Sequence, residues 1–253
     1  MTTSGDTRTS SSGWSQFCRA FRRLGGLASA AAALLYPSAC VSCGRDLSDG
    51  GILCPACAQR LPGMEGSRCA LCGAEVEDPL ADLCFACGTR VRAFDRIVAL
   101  GPYDGLWGEL VCAFKFDGER AVGRWLAVRL AAAGRSELGE AYDVVSFVPM
   151  AWSEWRDRGF NQARALALGV ARRLGRPMCR TLAKARRTAP QAALSARRRR
   201  QNLRGAFRAI RSGTGRVLLV DDICTTGSTA DACARALKDA GWASVDVLVV
   251  ARA

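Results

Sequence analysis

Two acids stand side by side in the stretch VLLVDDICTTGSTA, residues 217–230. Asp221 and Asp222 follow four apolar residues. Behind them comes a turn of small and hydroxyl-bearing side chains: Thr225, Thr226, Gly227, Ser228 and Thr229. Small residues let backbone N–H groups come close to a phosphate, and a helix opening at that point adds partial positive charge. A phosphate alone does not favour carboxylates beside it. A sugar phosphate does, because carboxylates accept hydrogen bonds from ribose hydroxyls or hold Mg²⁺ while the loop grips the phosphate.

Cysteine forms the second constellation. The chain has 13 cysteines and no histidine. Eight fall in four C-x-x-C pairs: Cys40/Cys43, Cys54/Cys57, Cys69/Cys72 and Cys84/Cys87. They form an internal repeat, CVSCGRDLSDGGILCPAC followed by CALCGAEVEDPLADLCFAC. Gly44 and Gly73 follow the first pair of each copy, as in a tight knuckle whose N–H groups point at sulfur. This spacing predicts four-cysteine zinc sites, used twice. Four thiolates leave no position open for water, so such zinc is structural. Sequential pairing of each copy is the expected arrangement, and an interleaved one is the alternative. Disulfides would suit an exported chain, and a redox role would not need four regular pairs. The other cysteines, Cys18, Cys112, Cys179, Cys224 and Cys233, are scattered and read mostly as small core residues. Without histidine to activate Cys224, a cysteine nucleophile is not expected.

Charge is concentrated. Between Arg158 and Val220 there is no Asp or Glu, and that window holds 17 of the 36 basic residues. The rest carries 19 basic against 23 acidic residues, so the whole basic excess sits in one quarter of the chain. Such a block favours a polyanion, either a diphosphate-bearing substrate or a nucleic acid. An ordinary solvated arginine-rich face is the competing explanation, since only three of the basic residues are lysine.

These residues need a scaffold. Apolar runs predict a strand and turn at 94–105 and strands at 142–150, 216–220 and 244–252, and periodic segments predict helices at 106–134, 161–175 and 228–241. The helix over 106–134 is expected to break near Asp117-Gly118, and Ser228-x-x-Asp231 reads as a capping box. Strands alternating with helices predict an α/β domain with a mainly parallel sheet, whose ligands bind at the carboxyl ends of the strands. Residues 180–210 read as a mobile basic arm. The expected organisation is a disordered tail and short helical lead-in over 1–36, a double zinc ribbon over 37–90, and the α/β domain over 91–253. The run LASAAAALLY at 27–36 is too short to span a bilayer. Arg19, Arg22 and Arg23 before it, with PSAC at 37–40, give some support to a signal peptide, but processing there would sacrifice Cys40. A cytoplasmic protein without membrane insertion is expected.

VLLVDDICTTGSTA resembles the phosphoribosyl-pyrophosphate (PRPP) motif of type I phosphoribosyltransferases. More narrowly, the chain resembles the ComF family, which carries an N-terminal zinc module. Supporting pieces are LLYPSACVSCG (34–44), YDG (103–105), FKFDGER (114–120), RGFNQA (158–163), Thr188-x-x-Gln191-x-x-Leu194, Arg199-x-x-Asn202, GAF (205–207) and the final Ala251-Arg252. The resemblance implies that Asp221 and Asp222 contact the ribose hydroxyls and that Thr225–Thr229 hold the 5′-phosphate. It makes Arg156, Arg158 and Asn161 candidates for the pyrophosphate loop. Arg187, Arg199 and Asn202 fall in the flexible hood over the site. One departure stands out: family members often carry a histidine and basic residues soon after the VP, whereas Ala151-Trp152-Ser153-Glu154-Trp155 carries no positive charge before Arg156.

The implied cofactors are two structural Zn²⁺, and Mg²⁺ with PRPP. The implied activity is phosphoribosyl transfer from PRPP, in a setting of DNA uptake, with competence-machinery proteins as further partners. No segment names the acceptor. The alternative is a non-catalytic protein that retains the fold and binds single-stranded DNA, with Trp152, Trp155, Phe160 and Phe207 available for stacking. Core packing is the competing reading of each aromatic singly.

Overall fold

The computed structural model describes residues 38–47, 51–116, 120–139, 141–151, 155–156, 159–186 and 202–253. Two small repeats come first. β1 (Ser38–Ala39) and β2 (Asp46–Leu47) pair antiparallel, and the short helix α1 (Pro55–Gln59) follows. In the second copy an isolated bridge, Arg68 to Glu75, replaces the strand pair, and α2 (Phe85–Gly88) replaces α1.

The remainder is a four-stranded sheet flanked by helices. Its strands are β3 (Arg96–Pro102), β4 (Val144–Phe147), β7 (Arg216–Cys224) and β8 (Ser244–Arg252), in the order β3-β8-β7-β4. All three pairings are parallel, as expected from the alternation of strands and helices. Val217 to Val220 are completely buried, so both faces of β7 are covered. That is why its sequence reads as an unbroken apolar run instead of an alternating one.

The helix α5 (Gln162–Leu174) follows its sequence signals closely. Asn161 caps it, its side chain accepting from Arg164 N at 2.8 Å, and Gly175 ends it in the left-handed conformation at φ 64°. Ala163, Leu166, Ala167, Val170 and Ala171 form its buried face. The predicted helix at 106–134 is two helices, α3 (Leu106–Phe116) and α4 (Arg120–Leu138), and α4 runs four residues further than expected.

Three expectations are corrected. The strand predicted at 216–220 continues through Cys224, because β8 keeps pairing with it as far as Cys224 opposite Arg252. The segment 180–210 is not all arm: β5 (Leu182–Lys184) and β6 (Phe207–Ala209) pair antiparallel, anchored by buried Leu182, Leu203 and Ala206. Finally, the capping box does not form. Gly227 caps α6 (Ser228–Asp239) at φ 70°, and Asp231 instead accepts from Ala93 N at 2.7 Å and pairs with Arg235. The lead-in and tail before residue 38, and most of the arm between 184 and 204, lie outside the described residues. Among the described residues no helix is long and apolar enough to cross a membrane.

Asn161 leaves an amide unpaired if truncated, so Asn161→Ala is expected to lower stability by about 1 kcal/mol. Urea denaturation of the zinc-loaded protein checks this, and an unchanged midpoint would refute the cap.

Candidate functional site

The acids stand where β7 leaves the core. Asp221 Oδ1 accepts from Asp222 N at 2.9 Å, and Asp222 Oδ1 accepts from Ile223 N at 2.7 Å. Each carboxylate thus spends one oxygen on the amide that follows it. The second oxygen of Asp222 meets Lys115 Nζ at 2.8 Å, with both side chains largely buried. Burial pushes the Asp221 carboxyl well above its ordinary range, and the neighbouring Asp222 charge adds to this. Lys115, in the last turn of α3, lacked any signal in the sequence beyond its place in FKFDGER. Its partner is distant in sequence, and only the packing of α3 brings the two together.

The loop after the acids is compact. Thr226 Oγ1 and Ser228 Oγ share a hydrogen bond of 2.7 Å, and Ser228 is buried whereas Thr225 is exposed. Gly227 needs its positive φ to turn the chain into α6. The first amides of α6 have no intrahelical acceptor, so they and the helix dipole face the loop. Cys224 is buried and its thiol is pushed up to about 11 by that burial, which agrees with its exclusion as a nucleophile.

Beside β7, a cavity of about 1080 Å³ opens at the carboxyl end of β4, between the start of α5 and the base of the β5–β6 ribbon. Arg164, Arg180, Lys184 and Arg186 line it, together with Asn161 and Trp155, and among the described residues no acid lines it. Arg186 also clamps the ribbon base, donating to the carbonyls of Asn202 at 2.7 Å and Arg204 at 2.8 Å. Asp221 to Thr229 do not line this cavity. The two features share one end of the sheet, since Phe147 of β4 pairs with Val220 of β7. Of the sequence candidates for a pyrophosphate loop, Arg156 is exposed and Asn161 is half-buried as the cap of α5. Arg158, Arg187 and Arg199 lie outside the described residues, as does Trp152.

The eight paired cysteines gather sequentially. The sulfurs of Cys40, Cys43, Cys54 and Cys57 all lie within 4.8 Å of one another, and so do those of Cys69, Cys72, Cys84 and Cys87. Cys43 and Cys54 sulfurs stand 3.8 Å apart, and Cys72 and Cys84 sulfurs 3.7 Å. A tetrahedral zinc with Zn–S bonds of about 2.3 Å requires edges of about 3.8 Å. The donor sets therefore fit two structural zinc ions. The knuckles repeat as well: Gly44 N donates to Cys40 O at 2.8 Å and Gly73 N to Cys69 O at 2.9 Å, both glycines at positive φ. Burial pushes the Cys40 and Cys69 thiols up, but backbone amide donors outweigh it and bring them down to about 6 and about 7. These donors prepare the thiolate that a metal needs.

Residues 31–91 match the family of the double zinc ribbon domain. Competence protein F of Haemophilus influenzae is 32% identical over 211 residues, covering 79% of this chain and 90% of that one. The DNA utilization protein YhgH of Salmonella typhimurium is 34% identical over 229 residues, covering 87% of this chain and 99% of that one. Among solved structures, a glutamine PRPP amidotransferase from B. subtilis complexed with ADP and GMP aligns at TM-score 0.36 and 26% identity. That alignment covers 51% of this chain and 26% of the amidotransferase.

Elemental analysis is expected to find two zinc ions per chain and one in Cys57→Ser; fewer than one in the unaltered chain would refute both sites. A second prediction concerns Asp221. A carboxyl raised in the folded state binds its proton more tightly there, so its contribution to stability is present at low pH. That contribution is lost as pH rises above the unfolded value near 3.8 toward the folded one. Asp221→Asn is expected to gain stability over the unaltered chain, by a margin that grows with pH. Paired urea melts from pH 4 to 7 measure the margin, and a margin that shrinks with pH would contradict the burial argument.

Proposed function

The chain belongs to the competence protein F family, and on that premise we propose that it is a phosphoribosyltransferase-type protein that binds PRPP with Mg²⁺ and serves the handling of imported DNA. The observation that carries this reading is the pair Asp221 and Asp222 at the end of a buried parallel strand, followed at once by a small-residue loop opening α6. DNA binding alone does not require that constellation. Asp221 and Asp222 accept the two ribose hydroxyls. Thr225, Thr226, Ser228 and Thr229, with the first amides of α6, hold the 5′-phosphate. Lys115 compensates the second acid before ligand arrives.

The cavity lined by Arg164, Arg180, Lys184 and Arg186 suits the diphosphate. It supplies the cations that are missing between Val148 and Arg156. Arg156, Arg158 and Asn161 border it in sequence, and Arg187 and Arg199 belong to the arm that continues from β5. Asp221 and Asp222, with the diphosphate, would hold Mg²⁺, which would supply positive charge near the leaving group. The chain's own residues orient the ribose, spread the developing charge over guanidinium groups and exclude water, which are the demands of a reaction that breaks a C–O bond through an oxocarbenium-like state. In this reading 37–90 is the zinc module and 91–253 the transferase-type domain.

A second reading rests on a separate observation, the basic excess of 158–220, which is larger than one diphosphate needs. Single-stranded DNA on that surface would use the same arginines, and both relatives named for competence and DNA utilization accord with it.

Calorimetric titration with PRPP and Mg²⁺ tests the first reading. Binding is expected, and the Asp221→Asn, Asp222→Asn double variant is expected to lose it. No binding by the folded, zinc-loaded chain would sink it. DNA affinity that survives in the double variant and falls steeply with salt would then support the second.

A further inference from the structure

The two zinc sites have matching ligands and knuckles but different surroundings. Cys40, Cys54, Cys57 and Leu47 form a small apolar cluster of their own, although Ile52 of that copy is buried in the main core. Cys69, Cys72, Cys87 and Val76 belong instead to the main core, in one continuous cluster with β3, β7 and β8.

Arg252, the last residue of β8, joins the second site to the loop after the acids. Its Nε donates to Cys72 O at 3.1 Å, and its Nη2 reaches the Cys72 sulfur at 3.8 Å. Its Nη1 donates to Cys224 O at 3.1 Å. Cys224 is the residue before Thr225. Two more contacts run the same way. Leu71 O, between the ligands Cys69 and Cys72, accepts from Ile97 N at 2.7 Å. Ile97 and Phe94 are the side chains on which Gly227 rests, since a Cβ there would lie 3.7 Å from one and 3.5 Å from the other. Ala93 N holds Asp231 in the first turn of α6. The second site therefore reaches the start of the loop through Arg252 and its middle through Ile97, while Ala93 holds the helix that follows.

We infer that the second zinc site positions the loop 225–229 through Arg252, and that the first site does not. The physical reason is the acceptor that Arg252 uses. A metal-bound thiolate is a fixed anionic acceptor, and its knuckle carbonyl is fixed with it. Without metal the Cys69–Cys72 knuckle relaxes, and Arg252 loses both partners at that end. The Cys224 carbonyl then keeps the amide of Ala253 at 2.9 Å and a guanidinium held only by the neighbouring Ala253 carbonyl at 2.7 Å. Arg252 is a positioning residue in this scheme. The consequence for PRPP rests on the proposed function, whereas the consequence for the loop does not.

The test uses the full zinc-loaded chain and three variants: Arg252→Met, Arg252→Lys and Cys43→Ser. Zinc content, native-state amide exchange and PRPP titration are the readouts. Arg252→Met is expected to keep two zincs and the protection of 217–220, while exchange over 225–231 quickens about tenfold or more. Arg252→Lys is expected to restore part of the protection. Cys43→Ser is expected to lose one zinc and leave exchange over 225–231 unchanged. Unchanged exchange in Arg252→Met overturns the inference, and so does equal quickening in Cys43→Ser. If Arg252→Met does not fold, chelator titration of Cys43→Ser decides the matter, because its remaining zinc occupies the second site. Exchange over 225–231 must then rise as that zinc leaves, and a flat response overturns the inference. PRPP affinity should fall in step with the loss of protection. A chain that never binds PRPP but shows the exchange pattern removes the proposed function and leaves the positioning role standing.

Discussion

Two adjacent carboxylates at the end of a strand buried on both faces are the constraint to which the rest of this molecule answers. Charge there is costly, and burial raises the Asp221 carboxyl accordingly. Three arrangements reduce that cost. Each carboxylate turns onto the amide that follows it. Lys115 supplies a cation to Asp222 from the end of α3. The strand then opens into a loop of small residues and the positive end of a helix. None of these works unless β7 is central, with β4 and β8 fixing it on either side. The parallel sheet is therefore a means of delivering two acids to a defined place with little freedom to move.

The zinc ribbons solve a different problem. Each copy has only ten or eleven residues between its cysteine pairs and cannot build a core of its own. Zinc in the two four-cysteine sites would supply the folding free energy that apolar burial cannot. The second copy then does more than fold: its cysteines pack into the main core, and Trp107 donates to Pro62 O at 2.7 Å to fix the link between the copies. A Cβ at Gly101 would fall inside the Trp107 ring, so a glycine is required where that indole lies across β3. The first copy keeps its zinc-site cysteines in a small cluster of their own, touched by Leu106, and reaches the main core through Ile52. Equal ligand chemistry thus gives one satellite site and one foundation, and what separates them is whether the ligand cysteines themselves pack in the main core.

Features whose cause is local could be read from the sequence. The eight cysteines announce their metal by spacing, and Asn161 and Gly175 bound α5 by chemistry that acts within a turn. The apolar runs of β7 and β8 follow from burial on both faces. Features that depend on distant partners could not be read. Lys115 carries no local mark of its bond to Asp222, and Arg252 none of its bond to Cys72. The capping box failed for the same reason: Ser228-x-x-Asp231 has the right spacing, but the amide of Ala93 captured Asp231 from outside the helix. The β5–β6 ribbon was hidden because its strands are three residues each and sit within a run of arginines that reads as solvated.

The missing cations show how such convergence alters a functional argument. Judged along the chain, the stretch after Val148 lacks the positive charge that a diphosphate needs. Judged in space, Arg164 from α5, Arg180 and Lys184 from the approach to and body of β5, and Arg186 beyond it surround one cavity at the end of β4. β4 and β7 are neighbouring strands, so the acids ending β7 and the cavity at the end of β4 lie at the same end of the sheet. In the proposed reading, acids and cations gathered at one end of a sheet favour a ligand with hydroxyls on one side and concentrated negative charge on the other. A nucleic-acid backbone satisfies the cations but leaves the acids facing phosphate. A sugar bearing a diphosphate satisfies both, and the proposed function therefore rests on the acids and not on the larger number of arginines.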